Sequence, residues 1–281
     1  MEVSKRMIIK LNNFAINDRE SRFYLDTVKG FAIPEIRTSS AVLTERDGGY
    51  VASQFYAMRK ISIQGRIFGE DEAELEEKRK EIMAAVRQKS IAIELITNAG
   101  NSYLVNGHLT DSEMDFDRLI NSSDFRFEFL CPDPVIYDNT DGTALSIQVG
   151  KQRGGGYIFP YVLPVSWQAG SGEVTARNNG NTAVKPVIKF KGSMTDPTLI
   201  NVTTGKLVQL SGFSAPEGSE VVIDTRTRSV LLNGGNIFDR LSDQSTFFSL
   251  QPGDNVFKLE SASGADTVVA TVEWRNGFMG V

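Results

Sequence analysis

The chain has 281 residues, of which 41% are hydrophobic and 23% charged, the composition of an ordinary globular protein rather than a disordered one. A single hydrophobic core seldom serves so long a chain, so the length predicts about two domains. The net charge is −5 and the basic residues are scattered, which disfavours nucleic-acid binding because such surfaces are basic. No stretch approaches the roughly 18 apolar residues of a membrane span, and the apolar start at Met7 is too short for a signal-peptide core.

Apolar and polar residues alternate along the first half, a pattern typical of β-strands. Strands are predicted at Met7–Leu11, Phe23–Val28 and Ile61–Gly65. Between the last two, Ala41–Thr44 is followed by Asp47–Gly49, whose glycines supply the positive φ angles of a tight hairpin tip. The sequence therefore predicts a hairpin here, which we expect to project from the body as an arm.

Residues 69–89 break the β pattern and predict one amphipathic helix. Four apolar residues fall on one face of it: Leu75, Ile82, Met83 and Val86. Acidic residues crowd its start and basic residues its end, which suits the helix dipole. Ion pairs one turn apart are expected for Glu74 with Lys78 and for Glu76 with Lys80. We interpret the carboxylates as a solvated face rather than as metal ligands.

A further hairpin is predicted from Ile91–Ile96 and Ser102–Leu109, with a turn at Asn98–Asn101. The strand Phe125–Cys131 places three phenylalanines on one face and then meets Pro132-Asp133-Pro134. Because two prolines in three residues stop a strand and stiffen the exit, we expect a domain boundary close behind, after residue 137.

The second half is richer in Gly, Asn, Thr and Val, and many short strands at near-regular spacing predict a β-sandwich. The strands are expected at 144–149, 173–176, 187–190, 199–202, 220–224, 229–233, 256–259 and 267–274. A Gly- and Pro-rich stretch around Gly154–Gly156 is interpreted as an interface loop. The expected fold class is mostly β, with one α-helix in the first domain.

The residues of an enzyme active site are scarce. His108 is the only histidine and Cys131 the only cysteine, so catalytic triads and zinc sites lack their ligands. Asp111–Asp117 is superficially similar to a calcium loop, but Phe116 stands where an EF-hand needs glycine, and Ser122 where it needs glutamate. We predict no enzyme activity, no metal and no cofactor, and a single cysteine fits a reducing cytoplasm.

Three aromatic residues of the second half allow a different interpretation, because exposed aromatic rings on a sandwich can stack on sugars. Trp274 alternates with Val268 and Val272, which favours core packing. Trp167 and Tyr157 remain candidates for glycan contact.

Several segments, in this order, resemble the distal tail (Dit) proteins of long-tailed bacteriophages, the siphovirus tail-component family. The segments are Asp47–Gly49, Arg59–Gly65, the acidic-to-basic helix, Phe125–Pro134, Asn178–Ile188, Asp224–Val230 and Asn233-Gly234. The resemblance covers nearly the whole chain and contains no catalytic signature.

The resemblance implies that residues 1–137 form a ring-forming belt domain and that residues 138–281 form a galectin-like or carbohydrate-module-like sandwich. Six copies would form a hub that joins the tail tube to the tail tip or baseplate. The implied partners are other copies of the chain, the tail tube protein, the tape-measure protein, the tail-associated lysin, and receptor-binding or baseplate proteins.

Such a protein would be made in the cytoplasm of the bacterial host and reside in the virion. The alternative is a carbohydrate-binding module for adhesion to the host surface. A hydrolase is the weakest interpretation, since the sequence offers no pair of carboxylates to prefer.

Overall fold

The computed structural model describes residues 7–17, 22–115, 121–150, 172–263 and 267–281. The chain divides into two compact units, Met1–Thr143 with Phe278–Val281, and Ala144–Gly277. The last four residues belong to the first unit, whereas the sequence-based division at residue 137 assigns them to the second. The fold is mostly β, as the sequence predicts.

Over its described residues, the first unit contains ten strands before residue 143 and one α-helix. They are β1 (Ile8–Leu11), β2 (Phe14–Ile16), β3 (Phe23–Lys29), β4 (Ile36–Val42), β5 (Gly49–Tyr56), β6 (Arg59–Phe68), α1 (Glu72–Val86), β7 (Ile91–Ile96), β8 (Ser102–Met114), β9 (Ser122–Cys131) and β10 (Ile136–Asp138). Each predicted strand, the helix and both hairpins are present, with β6, β8 and β9 longer than predicted.

The main sheet of this unit follows the order β2-β1-β7-β8-β9-β6-β3, and β10 pairs with β8. The strands at the two ends of this order also meet. The backbone N–H of Asn17, just after β2, donates to the carbonyl of Phe23 in β3 at 2.9 Å. The rings of Phe14 and Phe23 pack edge to face with centroids 4.9 Å apart. The sheet therefore rolls up and leaves few free edges.

The core inside this rolled sheet follows from the alternation in β9. Phe125, Phe127 and Phe129 are buried, while Arg126 and Glu128 between them form an ion pair on the outer face. Burying each phenylalanine contributes about 2 kcal/mol. The same alternation in β6 buries Ile61, Ile63 and Ile67 against them, so the paired β6 and β9 supply much of the core.

Helix α1 starts three residues later than predicted because Asp71 caps it, accepting a hydrogen bond from the N–H of Glu74 at 2.7 Å. Leu75, Ile82 and Val86 are buried as expected, but Met83 is 41% exposed. Grouping Met83 with them was wrong, because Met83 directly follows buried Ile82 and lies on the shoulder of the apolar stripe.

The charges of α1 differ from expectation in part. Lys80 pairs with Glu76 at 3.3 Å as predicted, whereas Lys78 pairs with Glu81 at 3.1 Å rather than with Glu74. Glu74 instead binds Arg22 at 3.1 Å. The last helical turn carries no basic residue, since the helix ends at Val86, before Arg87 and Lys89.

The second unit is built from short strands and a 3₁₀ turn at Phe238–Arg240. The strands are β11 (Leu145–Gly150), β12 (Glu173–Asn178), β13 (Val187–Lys191), β14 (Met194–Thr195), β15 (Thr198–Asn201), β16 (Lys206–Gln209), β17 (Ser214–Ala215), β18 (Glu220–Asp224), β19 (Ser229–Leu232), β20 (Gly235–Asn236), β21 (Gly253–Glu260) and β22 (Val269–Trp274). The last strand, β23 (Gly277–Phe278), instead pairs with β10 in the main sheet of the first unit, to which Phe278 belongs.

Two sheets dominate the second unit, one of six strands in the order β11-β22-β13-β18-β19-β20 and one of four in the order β12-β21-β15-β16. Each has one buried face, with Phe190 and Val272 in the first sheet and Leu199 and Phe257 in the second. This is the β-sandwich that the strand spacing predicts. Its galectin-like character stays a prediction.

Segment Asn178–Asn181, which contributed to the family resemblance, has a structural role. The buried side chain of Asn178 donates to the carbonyl of Thr182 at 2.8 Å and accepts from the N–H of Gly180 at 3.0 Å. A short polar side chain at this position hydrogen-bonds backbone groups of the turn that β-strand pairing does not satisfy.

Replacing Phe127 with alanine should lower the free energy of unfolding by about 3–5 kcal/mol, because it leaves a cavity in the rolled sheet. Urea denaturation followed by circular dichroism measures this. The control is Glu128→Ala on the outer face of the same strand, with an expected loss below about 1 kcal/mol. Equal losses in the two variants would contradict this assignment of the core.

Candidate functional site: an exposed arm and its root

Residues 36–56 form a hairpin that stands apart from the main sheet, because β4 and β5 pair only with each other among the described strands. Every residue of β4 is exposed, and so is every residue of β5 except Ser53, which is half-buried. At the tip, the N–H of Leu43 donates to the carbonyl of Gly48 at 3.1 Å, and Gly48 has φ +99°. The predicted hairpin is present, and we call residues 36–56 the arm.

The arm carries large apolar side chains in water. Val42 is 83% exposed and Phe55 64%. The full set is Ile36, Val42, Tyr50, Val51, Phe55 and Tyr56. A two-stranded hairpin alone is marginally stable, and several large apolar side chains exposed on one small element mark an interaction site. The arm is therefore the candidate functional site.

A β-bulge sets which arm residues share a face. The pairing shifts between Ser39, opposite Ser53, and Ser40, opposite Val51, so that Ala52 is the extra residue. As a result Ile36, Val42, Val51 and Tyr56 lie on one face and Tyr50 and Phe55 on the other. Both faces are apolar, and both outer strand edges are unpaired in the described structure.

The root of the arm is fixed by a buried arginine at the start of β6. Arg59 is 1% exposed, and its guanidinium donates to four backbone carbonyls. The acceptors are Gly30, Ala32 at 2.6 Å, Pro134 at 2.9 Å and Met279 at 2.7 Å. Burial lowers the pKa of Arg59 from its ordinary value by penalising the charged form.

Gly30 shows how closely the chain approaches itself at this root. It has φ +104°, and a Cβ there would lie 2.0 Å from the carbonyl oxygen of Lys60. Only glycine fits, and its own carbonyl accepts from Arg59. Beside it, the N–H of Ala57 donates to the carbonyl of Glu35 at 2.8 Å and closes the base of the arm.

The residues considered for catalysis do not come together. His108 is exposed on β8, and its Nδ1–H donates to the carbonyl of Lys89. Cys131 is buried, and burial raises the pKa of its thiol to about 11, so the thiol stays protonated near neutral pH. A buried thiol and an exposed imidazole leave no nucleophile and base in contact.

The acidic segment 111–115 lies in β8 and just after it, beside a small cavity of about 240 Å³ that also receives Asp26 and Asp124. Two of the carboxylates beside this cavity have arginine partners. Arg66 hydrogen-bonds Asp124 and lowers the pKa of that carboxyl, and Arg126 lies 3.6 Å from Glu113. Within the described residues, no three potential metal-binding side chains cluster.

Among the aromatic candidates, Trp274 is 6% exposed in the second unit, which confirms its predicted core position. Trp167 and Tyr157 lie in 151–171, outside the described residues, as does the segment Gly154–Gly156. Their interpretation as glycan contacts stays a prediction. Helices of the described ranges are too short or too polar to cross a lipid bilayer.

Sequence reasoning missed Arg59, because one arginine at the start of a strand gives no local signal of burial. It also missed that the arm is apolar on both faces. Here a signal exists: Tyr50-Val51 and Phe55-Tyr56 are adjacent apolar pairs, and neighbours in a strand point to opposite faces.

Comparison with known proteins shows that each unit is similar to a family of phage tail proteins. The model of the phage tail protein RIFT-related domain matches residues 17–131. The model of the siphovirus-type tail component, C-terminal domain, matches residues 179–278. A search of curated protein sequences finds no match.

Solved structures share the fold. The Dit protein of phage SPP1 is 14% identical, with a TM-score of 0.70, and the match covers 96% of this chain and 99% of that one. A chain of the phage P2 baseplate, in its activated conformation with Ca, is 9% identical with a TM-score of 0.53, covering 95% and 98%. The similarity thus extends over both units.

Fold and matches together define a structural component of a phage tail. The two family models cover most of the chain, one in each unit, and the chain belongs to the Dit family of siphovirus-type tail components.

Replacing Arg59 with lysine should lower the free energy of unfolding by about 2–4 kcal/mol, since one ammonium cannot satisfy four carbonyls. Urea denaturation measures this, and Arg66→Lys is the control, a half-buried arginine of the same strand that pairs with Asp124 on the outer face, with an expected change below about 1 kcal/mol. An Arg59→Lys variant as stable as its control would show that the root does not depend on Arg59.

Proposed function

We propose that the protein is a non-enzymatic hub subunit at the distal end of a phage tail, and that six copies close into a ring. The observation that carries this proposal is the arm, with apolar side chains on both faces and unpaired edges on both strands within the described structure. A second polypeptide can cover such a hairpin by adding strands to it or by packing against its faces.

Closure into a ring follows from the kind of contact that an arm makes. An arm on one copy meets a different surface on the next copy, and such head-to-tail contacts repeat until the rotation closes. The first unit carries the arm, so it is the proposed belt domain. The second unit, which begins near residue 138 in the sequence-based division and at Ala144 in the structure, is the proposed outer domain of the ring.

The neighbours of the ring are proposed from the relatives. The Dit protein of phage SPP1 is described as a paradigm of the hub adsorption apparatus in phages that infect Gram-positive bacteria, and the P2 structures are baseplates. For this chain we propose the tail tube protein, the tape-measure protein, the tail-associated lysin and receptor-binding or baseplate proteins. Synthesis in the host cytoplasm precedes assembly into the virion.

The alternative, a carbohydrate-binding adhesion module, finds less support. Of its aromatic residues, Trp274 is buried and cannot stack on a sugar ring. A pull-down with host cell wall tests what remains: binding that is lost on replacing Trp167 or Tyr157 would favour the alternative over the hub.

Light scattering tests the ring directly. A hexamer has a mass of 186 kDa (6 × 31.0), and we expect the purified chain to approach this mass as its concentration rises. Replacing Tyr50 and Phe55 with serine should shift the protein to its monomer mass of 31.0 kDa, because the arm then loses its apolar contacts.

The matched control replaces Val202 and Phe238 with serine, two residues of the second unit with similar chemistry that are 45% and 47% exposed. This variant should keep the hexamer. A discrete assembly of another size, or equal loss of assembly in both double variants, would contradict the proposed role of the arm.

A further inference from the structure

A groove lies at the end of helix α1 and has a volume of about 760 Å³. Its wall consists mainly of residues 80–89, with one residue of β8. The residues that matter here are Lys80, Met83, Ala84, Arg87, Lys89 and Leu109. We call these six residues and the space between them the groove.

The interior of the groove is apolar and adaptable. Met83 is 41% exposed and points to water from the shoulder of the helix, with Ala84 and Leu109 nearby. An exposed methionine leaves a flexible, polarisable surface that fits side chains of varied shape. The sequence predicted that Met83 is buried with the apolar face of the helix, and its exposure differs from that prediction.

The rim of the groove is cationic. Arg87 and Lys89 are exposed and form no ion pair with the described residues, whereas Lys80 forms an ion pair with Glu76 at 3.3 Å. An occupant that brings apolar side chains together with carboxylates would satisfy both the interior and the rim.

The tip of the arm has this composition. Glu45 and Asp47 lie in the exposed turn, on either side of Arg46, and neither carboxylate pairs with a described residue. Directly behind the turn come Val42 and Tyr50, both largely exposed. The tip thus carries carboxylates next to apolar side chains, and the groove carries cations around an apolar interior, so the two surfaces are complementary.

We propose that the tip of the arm of one copy docks into the groove of the neighbouring copy. The inference rests on the proposed function and names the contact that closes the ring. Tip and groove are different surfaces of one chain, so each copy offers both halves of a head-to-tail contact. The seven residues of β4 extend about 23 Å, long enough for the tip to reach a neighbour.

Cysteine cross-linking tests the contact. Cys131 is buried with a thiol pKa of about 11, so the native chain offers no reactive thiol to compete. Chains with Val42→Cys are mixed with chains with Met83→Cys and treated with a flexible bis-maleimide. We expect a covalent dimer of 62 kDa (2 × 31.0) in the mixture, and a ladder of up to six chains when one chain carries both changes.

The matched control mixes Met83→Cys with Val202→Cys, an exposed residue of the second unit, and should give no dimer above background. If light scattering shows the hexamer but tip and groove cysteines do not cross-link, the proposed docking is overturned and the hub remains. If no hexamer forms at any concentration or in isolated tails, the proposed function itself fails.

Charge reversal adds a test that misfolding cannot mimic. Arg87→Glu with Lys89→Glu should raise the concentration needed for half-assembly about tenfold, because the rim then repels the tip. Adding Glu45→Lys and Asp47→Lys should restore assembly. If the restored variant stays monomeric while folded by circular dichroism, the tip does not dock in the groove and the proposal is wrong.

Discussion

The buried guanidinium of Arg59 is the interaction on which the first unit depends. It joins segments that are far apart in sequence: the end of β3, the exit from β9 and the last residues of the chain. An unpaired charge inside a protein is costly, and here four carbonyls offset the cost. Two of these carbonyls, those of Gly30 and Ala32, lie on the segment that leads from β3 into the arm. Removing Arg59 would thus remove one of the contacts that fix the base of the arm.

This root explains how a hairpin with no packed face keeps a defined position. The arm gains little from its own contacts, so its orientation is set at the base by Arg59, by Gly30 and by the hydrogen bond from Ala57 to Glu35. A rigid base also reduces the conformational entropy that the arm loses on binding, because its orientation is set before the partner arrives. The rolled main sheet, in contrast, hides its own edges, so the arm offers the clearest free edges among the described residues of the first unit.

Much of the fold could be predicted because its signals are local. The alternation at Phe125–Cys131, the turn at Asp47–Gly49 and the charged helix each depend on neighbours within a few residues, and each is present. The role of Arg59 and the return of residues 278–281 could not be predicted, because both are set by contacts between distant segments. The predicted burial of Met83 was wrong because helical periodicity gives the direction of the apolar face but not its width. A residue at the margin of that face is either buried or exposed, depending on what packs beside it. For the site, the sequence indicated a hairpin that projects, and its adjacent apolar pairs carry a signal that both faces are apolar. Which residues of the two strands share a face could not be predicted, because the bulge at Ala52 sets the register.

The central claim is that the arm is an unoccupied contact surface in the free chain and is covered in the assembled tail. Amide hydrogen exchange of residues 36–56, compared between the purified monomer and isolated tail particles, measures this most directly. The account predicts rapid exchange in the monomer, where this isolated pair of strands is open to water, and protection at least about tenfold stronger in tails, while β6 and β9 are protected in both. Arm amides that exchange equally fast in both states would contradict it.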